Sequence, residues 1–198
     1  MKGEVVVKHR WLFLAVVTVV GFAIDFVTKH LAHTKLNEAV PVSVIGDYLQ
    51  FCLVYNKGAL FGINPADWIP GAPVNLLFLI FIPIAIGFLL VYYKMLKKDE
   101  VFMHCGLALV LPGAFGNMFD RIVRPGGGVV DFIRMGIPPD TYWFIYNVAD
   151  IYITVGVGIM LVSFWKEGCQ HNKCVNNESE VTISESEQKA DCGTHSQQ

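Results

Sequence analysis

Residues 143–165 have the sequence WFIYNVADIYITVGVGIMLVSFW, in which apolar side chains continue for longer than a soluble helix requires. A helix that crosses the hydrocarbon core of a bilayer needs about 20 mostly apolar residues. Three further segments of this kind, residues 11–32, 74–93 and 101–119, precede it. The sequence therefore predicts an integral membrane protein, mainly α, with four transmembrane helices.

The composition agrees with this fold class. Of the 198 residues, 54% are hydrophobic and 16% are charged, and the mean hydropathy is +0.47, which is more apolar than a typical soluble domain. The formal net charge is -2 and no Lys/Arg-rich tract is present, so we expect no nucleic-acid partner. The five cysteines are scattered and odd in number, which is not a disulfide framework. Cys169, His171 and Cys174 lack the usual zinc spacing, and we expect neither a metal nor a cofactor.

Basic residues outside the predicted helices indicate the topology, because Lys and Arg are enriched in cytoplasmic loops. They precede the first helix, fill the link between the second and third, and follow the fourth. We therefore expect cytoplasmic N and C termini and two outward loops, although the outward side also carries basic residues. Residues 1–165 would form one membrane domain, and residues 166–198 a polar, disordered cytoplasmic tail. The first helix also resembles a secretory signal, but Asp25 and Lys29, four residues apart, favour a retained helix.

The first outward loop, residues 38–62, has its own pattern. Apolar residues alternate on both sides of the turn sequence Ile45-Gly46-Asp47. This alternation predicts a small β-hairpin or sheet. Two uses stay open: the sheet lies on the bilayer or takes up an extended peptide as an extra strand, or it only packs on the helix ends.

Polar side chains cluster near the outward ends of the predicted helices. They are Asp25, Lys29, Asn117, Asp120, Arg121, Asp131, Asn147 and Asp150. Ionisable groups are costly in hydrocarbon, so each one is a functional hypothesis. Counting from Trp143 places Asp150 roughly 10 Å along the fourth helix. We expect all of these groups at a similar height near the outer surface.

Some of these acids have an obvious cation nearby. The expected structural ion pairs are Asp25 with Lys29 and Asp120 with Arg121. Asp131 and Asp150 then lack a basic partner, and two such carboxylates in a poorly hydrated site would share one proton. An aspartyl peptidase uses this state, with one carboxylate as general base and the protonated one bonded to the scissile carbonyl. Asp131 and Asp150 are therefore the candidate catalytic pair.

Two other classes of function are compatible with part of this pattern. A proton-coupled membrane transporter could use the same buried charges, but it should have polar groups near the membrane midplane and repeated halves. The polar groups here gather toward one side and no repeat is evident. A non-enzymatic scaffold that recruits partners through the hairpin leaves Asp131 and Asp150 unexplained. A proton-coupled membrane transporter is therefore the alternative hypothesis to a peptidase.

Four sequence blocks, in this order, resemble lipoprotein signal peptidase, also called signal peptidase II or prolipoprotein signal peptidase. The blocks are Asp25-Phe-Val-Thr-Lys29; Asn56-Lys-Gly-Ala-Leu-Phe-Gly62; Gly116-Asn-Met-Phe-Asp-Arg121 leading to Val129-Val-Asp131-Phe132; and Asn147-Val-Ala-Asp150. Two departures are a tyrosine, Tyr146, where the family usually has phenylalanine, and a longer glycine-rich segment before Asp131.

The resemblance implies an aspartic endopeptidase of the bacterial inner membrane, with its active site near the periplasmic face. It would remove signal peptides from diacylglyceryl-modified prolipoproteins by cutting just before the lipidated cysteine of the lipobox. Asp131 and Asp150 would be catalytic and the hairpin would be a cradle on the membrane around the substrate, with globomycin-type inhibition expected. The implied substrate-binding or supporting residues are Asn56, Gly58, Gly113, Asn117, Arg121, Asn147 and Ala149, and the structural ones are Asp25, Lys29 and Asp120.

Overall fold

The computed structural model describes residues 7–58, 74–124, 126, 128–137 and 141–166. Its elements in chain order are α1 (Arg10–Lys35), β1 (Val42–Ile45), β2 (Leu49–Asn56), α2 (Val74–Met95), α3 (Val101–Val123), β3 (Val129–Ile137) and β4 (Thr141–Tyr142), followed by α4 (Val148–Lys166). Within these residues four helices are long and apolar enough to cross a membrane. The predicted fold class is confirmed. The predicted tail beyond Lys166, with its cysteines, and residues 59–62 of the predicted cradle lie outside the described residues.

The fourth helix begins later than predicted. It was expected from Trp143, but α4 starts at Val148. The residues before it are extended because they bond to β3: the Trp143 N–H donates to the Met135 carbonyl at 2.9 Å, and the Tyr146 N–H donates to the Ile133 carbonyl at 3.1 Å. Apolar composition alone could not separate these paired residues from the helix that follows.

The sheet is antiparallel, with strand order β1-β2-β3-β4. β1 and β2 form the predicted hairpin. β3 was not predicted, and it arrives from the end of α3 to pair along β2, with Asp131 opposite Val54 and Val129 opposite Asn56. This pairing brings Asp131 and Asn56 into the same part of the sheet.

A small apolar core joins the sheet to the end of α1. It consists of Ala32, Leu53, Val130 and Phe132, all buried. Successive side chains of a strand point to opposite faces. Because Val130 and Phe132 face this core, Asp131 between them points away from it.

α3 is the most buried of the four helices. Glycines at its surface allow α4 to approach closely, as is common between membrane helices. A Cβ at Gly156 of α4 would lie only 2.6 Å from the Gly106 carbonyl oxygen, and a Cβ at Gly113 would meet the Ala149 carbonyl oxygen. The first turn of α4 is therefore held against α3. Large apolar side chains such as Leu12, Val19 and Phe88 stay exposed, which suits a surface that faces lipid.

Candidate active site

The site is built around the first turn of α4. The Asn147 Oδ1 accepts a hydrogen bond from the Asp150 N–H, and the Asp150 Oδ2 accepts one from the Asn147 N–H, both at 3.1 Å. This reciprocal arrangement is a capping box, here with Asn and Asp. The Ala149 N–H donates to Asp25 Oδ1 at 2.9 Å. The helix starts at Val148 because its first amides find acceptors.

The late start changes the predicted depth of Asp150. Asp150 is the third residue of α4, which places it about 3 Å along the helix axis from the first residue. The expectation of roughly 10 Å, counted from Trp143, is wrong. Asp150 belongs to the helix end and is half-buried.

Asp131 is held by two neutral amides. Asn56 Nδ2 donates to Asp131 Oδ2 at 3.0 Å, and Asn147 Nδ2 donates to Asp131 Oδ1 at 2.6 Å. Gly58 contributes through its backbone, since its N–H donates to Asn56 Oδ1 at 3.1 Å and so fixes which end of the amide faces the carboxyl. Asp131 is 3% exposed and Asn147 is completely buried.

Asn147 connects the two aspartates. Its side-chain nitrogen bonds Asp131, while its backbone and side-chain oxygen form the reciprocal cap with Asp150. A second amide, Asn117, donates from Nδ2 to Asp150 Oδ1 at 2.9 Å and accepts from Lys29 Nζ at 2.9 Å. The structure thus brings Asp131 and Asp150 to the same amide network.

The electrostatic environment favours a proton on Asp131. The pKa of Asp131 is raised from 3.8 to about 7, mainly by burial and further by repulsion from the Asp150 carboxylate. The hydrogen bonds from Asn56 and Asn147 and the charge of Lys29 act in the opposite direction and are outweighed. The hydrogen-bond donors to Asp131 are neutral, so they stabilise an ionised carboxylate less than a direct cation would. A carboxyl of this pKa keeps its proton in a large fraction of molecules at neutral pH.

The ion pairs around the site agree only in part with expectation. Lys29 pairs with Asp25 at 2.8 Å, as predicted for residues four apart, and also with Asp120 at 3.3 Å. Asp120 takes Arg124 as its second cation, at 3.1 Å, and not Arg121. The predicted pair of Asp120 with Arg121 is wrong because adjacent residues on a helix do not face each other.

Asp120 also reaches the strand that carries Asp131. Its Oδ2 accepts a hydrogen bond from the Val130 N–H at 3.2 Å. Gly116 has a related role on α3, since a Cβ there would meet Asp25 Oδ2. Asp25, Lys29 and Asp120 therefore link α1, α3, α4 and β3 through contacts that surround the aspartates.

Arg121 was expected at the substrate site, and its guanidinium lies over the ring of Phe78 at 4.0 Å from the centroid. Its charge interacts with both Asp131 and Asp150, but no carboxylate in the described ranges lies within the 4.0 Å of an ion pair. The expectation that neither aspartate has a basic residue nearby is therefore incomplete. Phe78 and Asn75 were not among the predicted site residues, although Asn75 is an amide inside a predicted span.

Tyr146, the residue that departs from the family pattern, contacts β3 through both its side chain and its backbone. Its hydroxyl donates to Met135 Sδ at 2.6 Å, and its backbone pairs with Ile133. Burial raises the pKa of the Tyr146 hydroxyl. The extra hydroxyl therefore attaches the residues before α4 to β3.

These features define a multi-pass membrane protein with two connected carboxylates at one end of its helices. A family model described as signal peptidase (SPase) II matches residues 17–166. The chain is 38% identical over 173 residues to the lipoprotein signal peptidase of Syntrophotalea carbinolica, covering 83% of this chain and 96% of that protein. It is 35% identical over 161 residues to that of Pseudomonas syringae pv. tomato, covering 80% and 87%.

The fold agrees with these sequence relationships. A solved structure described as that of a bacterial membrane enzyme aligns with a TM-score of 0.67 and 28% sequence identity, covering 78% of this chain and 88% of that one. A second one of the same description aligns with a TM-score of 0.65 and 26% identity, covering 76% and 91%. The chain belongs to the signal peptidase II family, whose peptidases process the signal peptides of prolipoproteins. The resemblance found in the four sequence blocks is confirmed.

Proposed function

We propose that this chain is an aspartyl endopeptidase that removes signal peptides from diacylglyceryl-modified prolipoproteins, cutting just before the lipidated cysteine. Asp131 and Asp150 are its catalytic pair. The observation that carries the proposal is the shared contact of both carboxyl groups with Asn147, together with a pKa of about 7 for the buried Asp131. Such a pair holds one proton between two acids at neutral pH.

The unequal environments of the two acids assign their roles. Asp131 is the more buried and carries the proton, so it donates a hydrogen bond to the scissile carbonyl oxygen. Asp150 is half-buried, and it takes a proton from the attacking water as the water oxygen bonds to the carbonyl carbon. When the tetrahedral intermediate collapses, the C–N bond breaks and Asp150 returns its proton to the leaving amine. Both carboxyl groups then have their starting protonation.

The asparagines hold both carboxyl groups in position without placing a positive charge beside them. Asn56 and Asn147 orient Asp131, and Asn117 orients Asp150. A lysine or arginine in their place would hold both acids ionised. Neutral amides fix the geometry and leave the proton on the pair.

The proposed location is the bacterial inner membrane, with both termini in the cytoplasm and the aspartates near the periplasmic face. The distribution of basic residues supports this topology. The C-terminal end of α1, the C-terminal end of α3 and the N-terminal end of α4 meet at the aspartates, which is consistent with antiparallel neighbours.

The substrate is proposed to lie between the sheet and the helix ends. Val42, Val44, Ile45 and Phe51 of the hairpin expose apolar side chains, which suits a cradle that rests on lipid and accepts a lipid-modified segment. A lipobox whose cysteine carries acyl chains matches this surface better than a soluble peptide does. Globomycin-type inhibitors should compete for the same place.

The test uses the full-length protein in detergent and a synthetic diacylated lipobox peptide, without added metal or nucleotide. Asp131→Asn and Asp150→Asn should each lower cleavage by about a thousandfold or more. Asp47→Asn is the matched control, because Asp47 lies in the exposed turn of the hairpin and contacts Gln50. Mass spectrometry of the products should place the cut directly before the lipidated cysteine.

Either of two results would contradict the assignment. Substantial cleavage by Asp131→Asn or Asp150→Asn would remove the catalytic pair, and a requirement for metal or nucleotide would point to another mechanism. A cut at a different bond would reject the proposed substrate register while leaving the pair in place.

A further inference from the structure

Arg121 is an unusual buried cation. It is 5% exposed, its charge interacts with Asp131 and Asp150, and yet it forms no close ion pair with a carboxylate of the described residues. A guanidinium normally takes a nearby carboxylate in a charge-assisted, often bidentate, contact. Other contacts must therefore keep the Arg121 guanidinium away from the Asp131 and Asp150 carboxyl groups.

The contacts that hold it come from α2. Asn75 Nδ2 donates to the Arg121 backbone oxygen at 3.3 Å, and Arg121 Nη1 approaches Asn75 Oδ1 at 3.5 Å. That backbone oxygen lies in the last turn of α3, where carbonyl groups lack a partner within the helix. Asn75 thus fixes the start of α2 to the end of α3.

Phe78 lies three residues after Asn75 and so on the same face of α2. With α2 fixed by Asn75, the Phe78 ring comes beneath the Arg121 guanidinium, 4.0 Å from its central carbon to the ring centroid. A cation held over a ring at this distance is attracted to the ring face, and more strongly where water is excluded. The two residues together form a seat for the guanidinium.

We infer that Asn75 and Phe78 are positioning residues that hold Arg121 close to the catalytic pair and keep its guanidinium from closing onto either carboxyl group. The inference rests on the proposed function, because it takes Asp131 and Asp150 as that pair. Because the Arg121 guanidinium is held in place without a paired carboxylate among the described residues, its charge can attract the scissile carbonyl group of the substrate.

The seat matters because a direct bridge would stop the reaction. A guanidinium bonded to Asp131 would favour the ionised form of Asp131 and remove the proton that the scissile carbonyl needs.

The charged groups that act on Asp131 are Lys29 of α1, Asp150 of α4 and Arg121 of α3, with Asp120 of α3 next along the network. β2 offers the neutral amide of Asn56. α2 has Lys94 as its single charged residue, in its last turn.

The experiment compares Phe78→Leu, which removes the ring, with Phe78→Trp, which keeps one. Cleavage of the diacylated peptide is followed from pH 5.5 to 8.5 with full-length protein in detergent. Phe78→Leu should lower kcat about fivefold at pH 7 and move the alkaline limb of the profile about one pH unit lower, with little change in KM. Phe78→Trp should retain the wild-type limb. The position of the limb does not depend on the fraction of folded enzyme.

A second comparison separates positioning from simple helix packing. In an Arg121→Gln background the guanidinium is gone, so Phe78→Leu should no longer move the alkaline limb. A wild-type limb in Phe78→Leu, or a shift that persists with Arg121→Gln, would overturn the inference. Asp131→Asn is run alongside. Its inactivity combined with an unshifted Phe78→Leu rejects the seat alone, whereas cleavage by Asp131→Asn rejects the proposed function.

Discussion

The buried Asp131 makes a prediction about stability that is separate from activity. Its pKa is about 7 in the folded protein against 3.8 for an unperturbed aspartate. The folded state therefore prefers the protonated form. The stability that this preference contributes is fully present below the unfolded-state pKa and is lost as the pH rises through the folded-state value.

The size of the effect follows from the two pKa values. A shift of about three units corresponds to about 4 kcal/mol between very low and alkaline pH. Part of this is already lost at pH 5, and about 3 kcal/mol is lost between pH 5 and pH 8. Asp131→Asn cannot ionise, so it does not show this loss. It should instead have a constant cost of about 1–3 kcal/mol, because its NH2 group faces one of the amides that donate to Asp131.

The assay is thermal unfolding in detergent at a series of pH values, with Asp131→Asn and wild type measured together. Their difference in midpoint should shift in favour of Asp131→Asn by roughly 6 °C or more from pH 5 to pH 8, taking about 2–4 °C per kcal/mol for a chain of this size. Asp47→Asn, in an exposed turn, should parallel wild type. A difference between Asp131→Asn and wild type that stays constant with pH would refute the reasoning.

Three further outcomes test the site. Asn147→Ala removes the helix cap and the amide between the two carboxyl groups. It should therefore lower the unfolding free energy by about 1–2 kcal/mol and lower kcat about a hundredfold or more. A wild-type kcat in this variant would contradict the bridging role of Asn147. Gly113→Ala should reduce activity and midpoint because its methyl group meets the first turn of α4, whereas Gly87→Ala, with nothing within 4 Å, should match wild type. Cleavage should decline above about pH 7 as the pair loses the proton carried by Asp131, and a flat rate from pH 6 to pH 9 would argue against that proton.

The transmembrane helices could be predicted because hydrocarbon imposes a length and a composition that are visible in the sequence. The start of α4 could not be placed by that criterion, since Trp143 to Tyr146 are as apolar as the helix itself. The signal that would have placed it is local. Asn147 followed three residues later by Asp150 is a capping pair, and it marks the first turn directly.

The site shows a similar division. Asp131 and Asp150 stood out as acids without an adjacent cation, but their connection depends on β3 pairing with β2 across a long intervening segment. No local pattern predicts that pairing. The wrong partner for Asp120 has a simple cause, because Arg121 is its neighbour in sequence whereas Lys29 and Arg124 are its neighbours in space.

The reciprocal cap gives one carboxylate two duties. Asp150 helps to start α4, and under the proposed mechanism it also activates water. In a membrane-inserted chain whose first turn of α4 has not formed, Asp150 would not be positioned as the general base. A partly folded molecule would therefore have no peptidase activity. The same hydrogen bonds that complete the fold would act as a safeguard that keeps an unfinished protease from cutting its neighbours.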